Sequence, residues 1–500
     1  MILMSWSGFV RILLESMFKK KIIYTIHMLF NHDTWKKYWK WFLVYSIINL
    51  ILLLIIWPGN FRHDDIIVAN MARDYDLVPW QHFLTSYFYI ASMKILPFPT
   101  GVIIIQVLAI SAIVAYLLMV ARKKLKITKP WQEWVLLLPF LLPPVLMNNL
   151  YPLRTTLCAY LFILLLVKCM LIVTNNKKIK LGESIWLIIL FIIVGSWRSE
   201  NIIVILPLII VLFVCIRQKR IKWQYGILSF VIIAAGILGI TKYNDSLMGG
   251  NAANNYKLTA IMEALVPLIR TEITHHGMES EDVKTIGRVV NIDMVAKNWD
   301  MSGISLYWEG VVYPNYTEEE YTDLMKTYIK LILRYPSTFI KQRIKEFYLT
   351  TAMPGSDEEY NILMDSASGF EKLEDGSPYK ELVDLSGDIE RPIDSKIRKY
   401  VMYTLEGSSP RGDGGKTIIY YTFYNISIPI LFILVAIIYL FKKRKVAIAL
   451  ILCSLLVQAM AVFMTAPDHL FMYYFPQYIG GYLCFAILLL YNYTKERRRK

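Results

Sequence analysis

Ten stretches of this chain are apolar over a length that reaches or approaches the ~20 residues a helix needs to cross a bilayer, and no other feature limits its fold as tightly. They lie near 41–57, 101–121, 134–150, 155–174, 185–197, 201–216, 225–241, 418–441, 446–465 and 470–492. A soluble domain has nowhere to bury so much continuous hydrocarbon, and with 56% hydrophobic residues lipid must cover much of the surface. The fifth and sixth stretches are short and share the polar break Trp197-Arg198-Ser199-Glu200-Asn201, so they read as a tight hairpin or a partly re-entrant pair. The pattern predicts an all-α polytopic membrane protein with about 10 transmembrane helices.

Charge supplies the orientation. A net charge of +15 in a soluble protein would point to nucleic acid, but here Lys and Arg cluster after every second span: at Arg122-Lys123-Lys124, Lys177-Lys178, Arg217 to Lys222, Lys442 to Lys445 and Lys495 to Lys500. The positive-inside rule puts those loops and both termini in the cytoplasm of a multi-pass cell-membrane protein, with no nucleic-acid partner. Between Lys242 and Lys416 there are 20 basic and 28 acidic residues, a balance of −8, which leaves +23 on the remainder. Opposite charge on the two parts suits a translocated insert on a bundle anchored by its cytoplasmic loops.

Four regions follow. Residues 1–40 read as a cytoplasmic or interfacial amphipathic lead-in, with the first span retained. Residues 41–241 form a membrane domain of spans one to seven with a first outer loop over 58–100. Residues 242–417 form an extracytoplasmic domain, mostly helical or α+β, and residues 418–500 carry spans eight to ten and a basic tail. Within the first outer loop, Phe83 to Leu96 is apolar but too short to cross, and is expected as a helix on the outer surface. In the insert, Thr317-Glu318-Glu319-Glu320 has the capping-box pattern ahead of a periodic run to Leu333. Tyr335-Pro336-Ser337 breaks that run and starts an amphipathic helix over Ser337 to Leu349. Its Phe339, Ile340, Ile344 and Phe347 are expected toward the bilayer or bundle, with Lys341, Arg343 and Lys345 spreading toward headgroups. Ser366 to Asp394 is rich in Gly, Ser, Asp and Glu and reads as loops. All five cysteines fall within apolar spans, so no disulfide framework can be read.

The densest polar cluster near the membrane is Arg62-His63-Asp64-Asp65, followed by Arg73-Asp74-Tyr75-Asp76 and Trp80-Gln81-His82. A carboxylate just outside the bilayer can act as general base toward a hydroxyl, since low-dielectric surroundings raise its basicity; the same acids also suit a solvated loop beside headgroups. Arg154 and Arg198 are the basic residues of two short outer loops. Their guanidinium groups can hold a phosphate bidentately, or pair with headgroups or with Glu200. Lys168 lies near the cytoplasmic end of its span and is expected to snorkel. Asp74-Tyr75-Asp76 has the spacing of a metal-binding pair that occurs often by chance.

Trp57-Pro58-Gly59, then Asp64-Asp65, then Pro79-Trp80-Gln81-His82-Phe83-Leu84-Thr85, ending in Val102 to Ala109, resembles the first luminal loop of GT-C fold glycosyltransferases, in an uncharacterised bacterial branch. Arg198-Ser199-Glu200-Asn201 before an apolar run with Pro207, and Leu333-Arg334-Tyr335-Pro336 before an amphipathic helix, follow in that family's order. The resemblance covers about a fifth of the chain. It implies a GT-C-like fold and an inverting transfer of sugar from a polyprenyl-phosphate donor to an acceptor hydroxyl on a cell-envelope glycan, glycolipid or protein. Carried over, Asp64 is the catalytic base with Asp65 the runner-up. Arg198, Arg154 and His469 are candidates for the donor phosphate, and His82, Trp80 and Glu200 for substrate contact. Many members carry an Arg-Tyr pair at the outer start of the last span; here that stretch is Asp468-His469-Leu470-Phe471-Met472-Tyr473-Tyr474, a departure at the position of the Arg to which a phosphate contact is attributed. A monophosphate donor has no strict need of a divalent metal, and no metal ligand or other cofactor is assigned.

No phosphate-cradling glycine loop, zinc-ligand spacing or Ser-His-Asp elbow occurs, which leaves ATP-driven transport and soluble-type hydrolysis without support. Two alternatives stay open. A polysaccharide polymerase or ligase would rely on outer-loop arginines, and a transporter or flippase of lipid-linked precursors would need charges facing a cavity within the spans.

Overall fold

A computed structural model describes residues 32–61, 63–175, 179–352, 393–408 and 416–497. Most of the expected lead-in and nearly all of the loop-rich 366–394 stretch lie outside the described residues. The described chain is helical throughout, and its only β pairings are the isolated bridges Val290–Val312 and Ser408–Lys416. In order, the membrane part holds α1 (His32–Ile55), α2 (His63–Arg73), α3 (Phe83–Ile95), α4 (Thr100–Leu125), α5 (Pro130–Leu137), α6 (Pro143–Asn149), α7 (Arg154–Thr174), α8 (Leu181–Trp197), α9 (Ile205–Arg217) and α10 (Trp223–Met248). The insert holds α11 (Ala252–His276), α12 (Glu281–Ile286), α13 (Ile292–Lys297), α14 (Gly303–Trp308), α15 (Glu318–Arg334), α16 (Pro336–Thr350) and α17 (Ser395–Glu406). The chain returns through α18 (Ile418–Phe423), α19 (Ser427–Lys442), α20 (Val446–Thr465) and α21 (Phe475–Arg497).

Eight helical stretches are long and apolar enough to cross a bilayer: Trp35–Ile55, Thr100–Leu125, Arg154–Thr174, Ser199–Arg217, Trp223–Met248, Ile418–Lys442, Val446–Thr465 and Phe471–Lys495. Two of the ten expected spans differ. The segment near 134–150 is broken into α5, a 3-10 turn at Leu138–Phe140 and α6, because Pro139 cannot donate a backbone hydrogen bond and Pro143-Pro144 starts a new helix. The fifth, α8, has 17 residues and is short for a crossing. The insert also begins later than residue 242, because α10 continues to Met248 and ends at Gly249, whose φ is +69°.

Around the enclosed α7, α1 lies along α4, α8 along α10 and α19 along α21. Polar side chains inside this bundle are matched with one another, as buried amides require. Asn149 donates to Tyr45 Oη at 2.8 Å and Asn49 Oδ1 at 2.9 Å, and accepts from Tyr160 at 2.9 Å, tying α6 to α1 and α7. At the insert end of α1 the chain turns at Gly59, whose φ is +102°; a Cβ there would sit 2.4 Å from Ile103 Cδ1. The last insert helix, α17, closes over that turn. Its buried Arg398 donates to the carbonyls of Ile56 at 3.2 Å and Gly59 at 3.0 Å, while Tyr151 donates to the buried Glu406 at 3.1 Å.

The two expected amphipathic helices divide their faces in more detail than the pattern gives. In the 83–96 segment, α3 turns Phe83, Thr85, Ser86, Tyr89 and Ser92 inward and leaves Tyr87 and Ile95 exposed. Its hydroxyls earn this placement by hydrogen bonding, since Trp197 Nε1 donates to Thr85 Oγ1 at 2.9 Å and Val78 N to Ser86 Oγ at 2.9 Å. Helix α16 splits its expected apolar face, with Phe347 meeting the bundle as expected and Phe339 turned into the insert. Phe339 is in the insert's core with Leu258, Leu265, Leu324 and Leu331, Phe347 packs on Phe463 and Tyr474 of the bundle, and Ile340 and Ile344 are 50% and 55% exposed. Arg343, expected at headgroups, is 0% exposed.

Candidate functional site

Some of the polar groups singled out in the sequence lie where bundle and insert meet, as Arg154 does in donating to Tyr256. Asp64 and Asp65 occupy the first turn of α2, where the helix N-terminus favours negative charge. Asp64 is partly exposed and accepts from Gln81 Nε2 at 2.7 Å. Asp65 is 4% exposed, with Tyr89 Oη 3.3 Å from its Oδ1, while that hydroxyl lies 2.8 Å from the carbonyl of Pro152. The two carboxylates are therefore not equivalent: one is partly exposed and the other is enclosed.

Gln81 closes the 3-10 turn Pro79–Gln81, and this turn is clamped by a residue that no motif singles out. Asn244, buried on α10, donates to the carbonyl of Pro79 at 2.9 Å and accepts from the N–H of Phe83 at 2.9 Å. The clamp fixes His82 with φ +72° at the start of α3, where its Nδ1 accepts from Leu84 N at 3.3 Å. That acceptor role places the neutral ring's proton on Nε2, which finds no hydrogen-bond partner among the described residues. Burial, reinforced by the nearby Arg154 cation, pulls the His82 pKa from 6.5 down to about 4, so the ring is a neutral donor at ordinary pH.

Arg154 reaches the same turn from α7. It donates to Tyr256 Oη at 2.8 Å and lies 3.4 Å from the carbonyl of Trp80, and the Trp80 and Tyr256 rings are 6.4 Å apart. Arg198 and Glu200 form a close ion pair with each other, and Arg198 lies 5.5 Å from the centre of the Tyr473 ring. Asp64, Trp80 and His82 gather at the Pro79–Gln81 turn with Arg154 and Tyr256, and Arg154, Arg198 and Glu200 all lie near Cys158, with Tyr473 beside Arg198.

His469 does not join the arginines. Its Nδ1 is 2.7 Å from Asp468 Oδ1 and 3.8 Å from Glu346 Oε2, in a second cluster with Glu263, Gln342 and Arg343. Glu346 is pushed up to about 7 by burial, with the neighbouring Glu263 adding to it. These α16 residues were missed because charge on an amphipathic helix is ordinarily solvated; the available signal was that Phe339, Gln342, Arg343 and Glu346 share one helical face. Asp74 and Asp76 are exposed and far from being a closed ligand set, with Tyr75 between them at φ +64°. The Arg334-Tyr335 part of the expected motif is structural: both side chains donate to the buried Glu272, at 2.9 Å and 2.7 Å. Lys168 lies against the Tyr116 ring at 4.5 Å rather than facing a cavity charge.

Comparison of the chain with protein-family models, with curated proteins and with solved structures finds no match.

Proposed function

We propose that this membrane protein is a GT-C-like glycosyltransferase that moves a sugar from a polyprenyl-phosphate donor to an acceptor hydroxyl on the insert side of the bilayer. The observation that carries the reading is the turn Pro79–Gln81, because Asp64 and Arg154 grip its adjacent residues, Gln81 and Trp80. A partly exposed carboxylate is thereby fixed near a guanidinium at the membrane boundary. The Arg198–Tyr473 contact adds support: an arginine and a tyrosine meet at the start of the last span although they come from different loops.

In the reaction, Asp64 takes the acceptor proton as the acceptor oxygen forms its bond to the anomeric carbon. The bond from that carbon to the phosphate oxygen breaks, and its electron pair leaves with the polyprenyl phosphate, so configuration inverts. Arg154 and Arg198 stabilise the leaving charge, and Trp80 and the neutral His82 offer a ring face and an N–H to the sugar. The proton on Asp64 then passes to solvent. Asp65, enclosed beside Tyr89, holds the loop instead of meeting the acceptor.

The test is transfer from a labelled polyprenyl-phosphate sugar by the purified full chain. Asp64→Asn is expected to fold and insert normally and to lose about 10² to 10⁴ in rate, with Asp65→Asn milder. An Asp64→Asn protein with wild-type turnover would remove Asp64 from the mechanism, and a dead Asp65→Asn beside an active Asp64→Asn would exchange the two roles.

A further inference from the structure

The second cluster of the seam gathers three carboxylates, two of them buried. Glu263 is 3% exposed and Glu346 6%, and Asp468 stands within reach of both. Arg343, whose guanidinium faces both glutamates, donates its Nη groups to backbone carbonyls, at 2.9 Å to Ala466 O and 3.3 Å to Ala260 O, and Arg270 also lies near Glu263. Removing carboxylates from water costs several kcal/mol for each ion unless a cation compensates. Glu263 has partial compensation, because its Oε1 accepts from Ile304 N at 2.8 Å and its Oε2 from Gln342 at 3.2 Å. Glu346 has less: Gln342 donates to its Oε1 at 2.7 Å, while Oε2 accepts no hydrogen bond.

That Oε2 is aimed at His469 and Asp468. One ligand atom from each of Glu346, Asp468 and His469 lies within 4.8 Å of the other two, the only such grouping of three among the described residues. Ligand atoms held ~2.0–2.2 Å from a tetrahedral ion stand about 3.4 Å apart, so the wider pairs draw together as the ion enters. The Nδ1–Oδ1 contact at 2.7 Å would open slightly at the same time, as the ion takes the place of the proton between them. Two carboxylates and an imidazole suit a divalent transition metal better than magnesium or calcium, which prefer oxygen alone.

We propose that Glu346, Asp468 and His469 form a binding site for one divalent transition-metal ion, with Gln342 orienting Glu346 from behind. The site joins α16 of the insert to the stretch leading into the last span, so the ion braces insert against bundle. Binding displaces the His469 Nδ1 proton to solvent. The site is independent of the reaction assigned to Asp64.

The experiment titrates Zn²⁺ into chelator-stripped full-length protein in detergent, by calorimetry in two buffers of different ionisation enthalpy and by thermal unfolding. One ion per chain is expected, with proton release and a rise in melting temperature. Glu346→Gln and Asp468→Asn are each expected to weaken binding by more than about tenfold and to abolish the thermal shift. Without metal, Glu346→Gln is expected to melt no lower than the wild type because it removes a buried carboxylate. Asp74→Asn, in the exposed Asp-x-Asp stretch, serves as a control and should bind as the wild type does. Absence of Zn²⁺ binding by the stripped wild type, binding unchanged in Glu346→Gln and Asp468→Asn, or binding lost in Asp74→Asn would each overturn the assignment. If Glu346→Gln fails to fold, the partly exposed Asp468→Asn decides.

Discussion

Arg343→Met is the substitution that most directly tests how the insert is held on the bundle. The thioether side chain fills much of the same channel without charge. Two carbonyls, of Ala260 in the insert and Ala466 beside the last span, then lose their donor. Each costs about 1–3 kcal/mol if it stays dry. Glu263 and Glu346 also lose the guanidinium that faces both of them, and breaking a buried charge arrangement typically costs about 3–5 kcal/mol. These terms overlap, so the net loss is about 4 kcal/mol, or roughly 10 °C in the melting temperature of a cooperative unit about the size of the insert. Arg343→Lys keeps the charge but reaches only one carbonyl, and should fall between. The assay has two readouts: a thiol-reactive dye follows bundle unfolding through the buried Cys158, Cys169 and Cys215, and trypsin cleavage after the exposed Lys341 and Lys345 follows undocking of α16. A melting temperature within about 1 °C of wild type, with unchanged cleavage, would refute the claim that this arginine fastens the insert.

His82→Asn keeps a residue tolerant of positive φ and able to cap α3. Since the folded-state pKa of His82 is depressed from 6.5 to about 4, its stabilising contribution is complete above pH ~6.5 and is lost as pH falls toward 4, by up to about 3 kcal/mol; wild type and variant should diverge over that window, and parallel stability curves would contradict the shift. Gly303→Ala puts a Cβ 2.1 Å from Met262 O and 2.5 Å from Met262 C, and since backbone cannot yield cheaply a loss of more than about 2 kcal/mol is expected; an unchanged melting temperature would mean that α14 can move away from α11. Reporter fusions at Gly249 and Lys124 should give opposite compartment signals, and matching signals would discard the orientation.

Much of the helical plan is legible in local sequence because local physics sets it. The capping box forms as written, with Glu320 N donating to Thr317 Oγ1 at 3.2 Å and Thr317 N to Glu320 Oε2 at 2.8 Å, and the Tyr335-Pro336 break falls between α15 and α16. The 134–150 stretch misled because hydropathy averages over a window while Pro139, Pro143 and Pro144 act one residue at a time. The site was legible only where its members are neighbours in sequence, as in Asp64-Asp65 and Trp80-Gln81-His82. Asn244 reaches its turn across 161 positions and Arg343 its carbonyl across 123, and no periodicity encodes such partners. Charges on α16 read as solvated because their compensating groups lie on other helices.

The clasp of α17 over the end of α1 has a consequence for how the protein is made. Arg398 and the carbonyl of Gly59 are 339 positions apart, and a ribosome adding about 5–20 residues per second needs roughly 20–70 s to cover that interval. Throughout that time the turn after the first span is already translated, while the side chain that satisfies its carbonyls does not yet exist. The entry to the first loop is therefore finished late, and every later helix of the bundle up to α10 inserts beside an incomplete mouth that only the end of the insert can close.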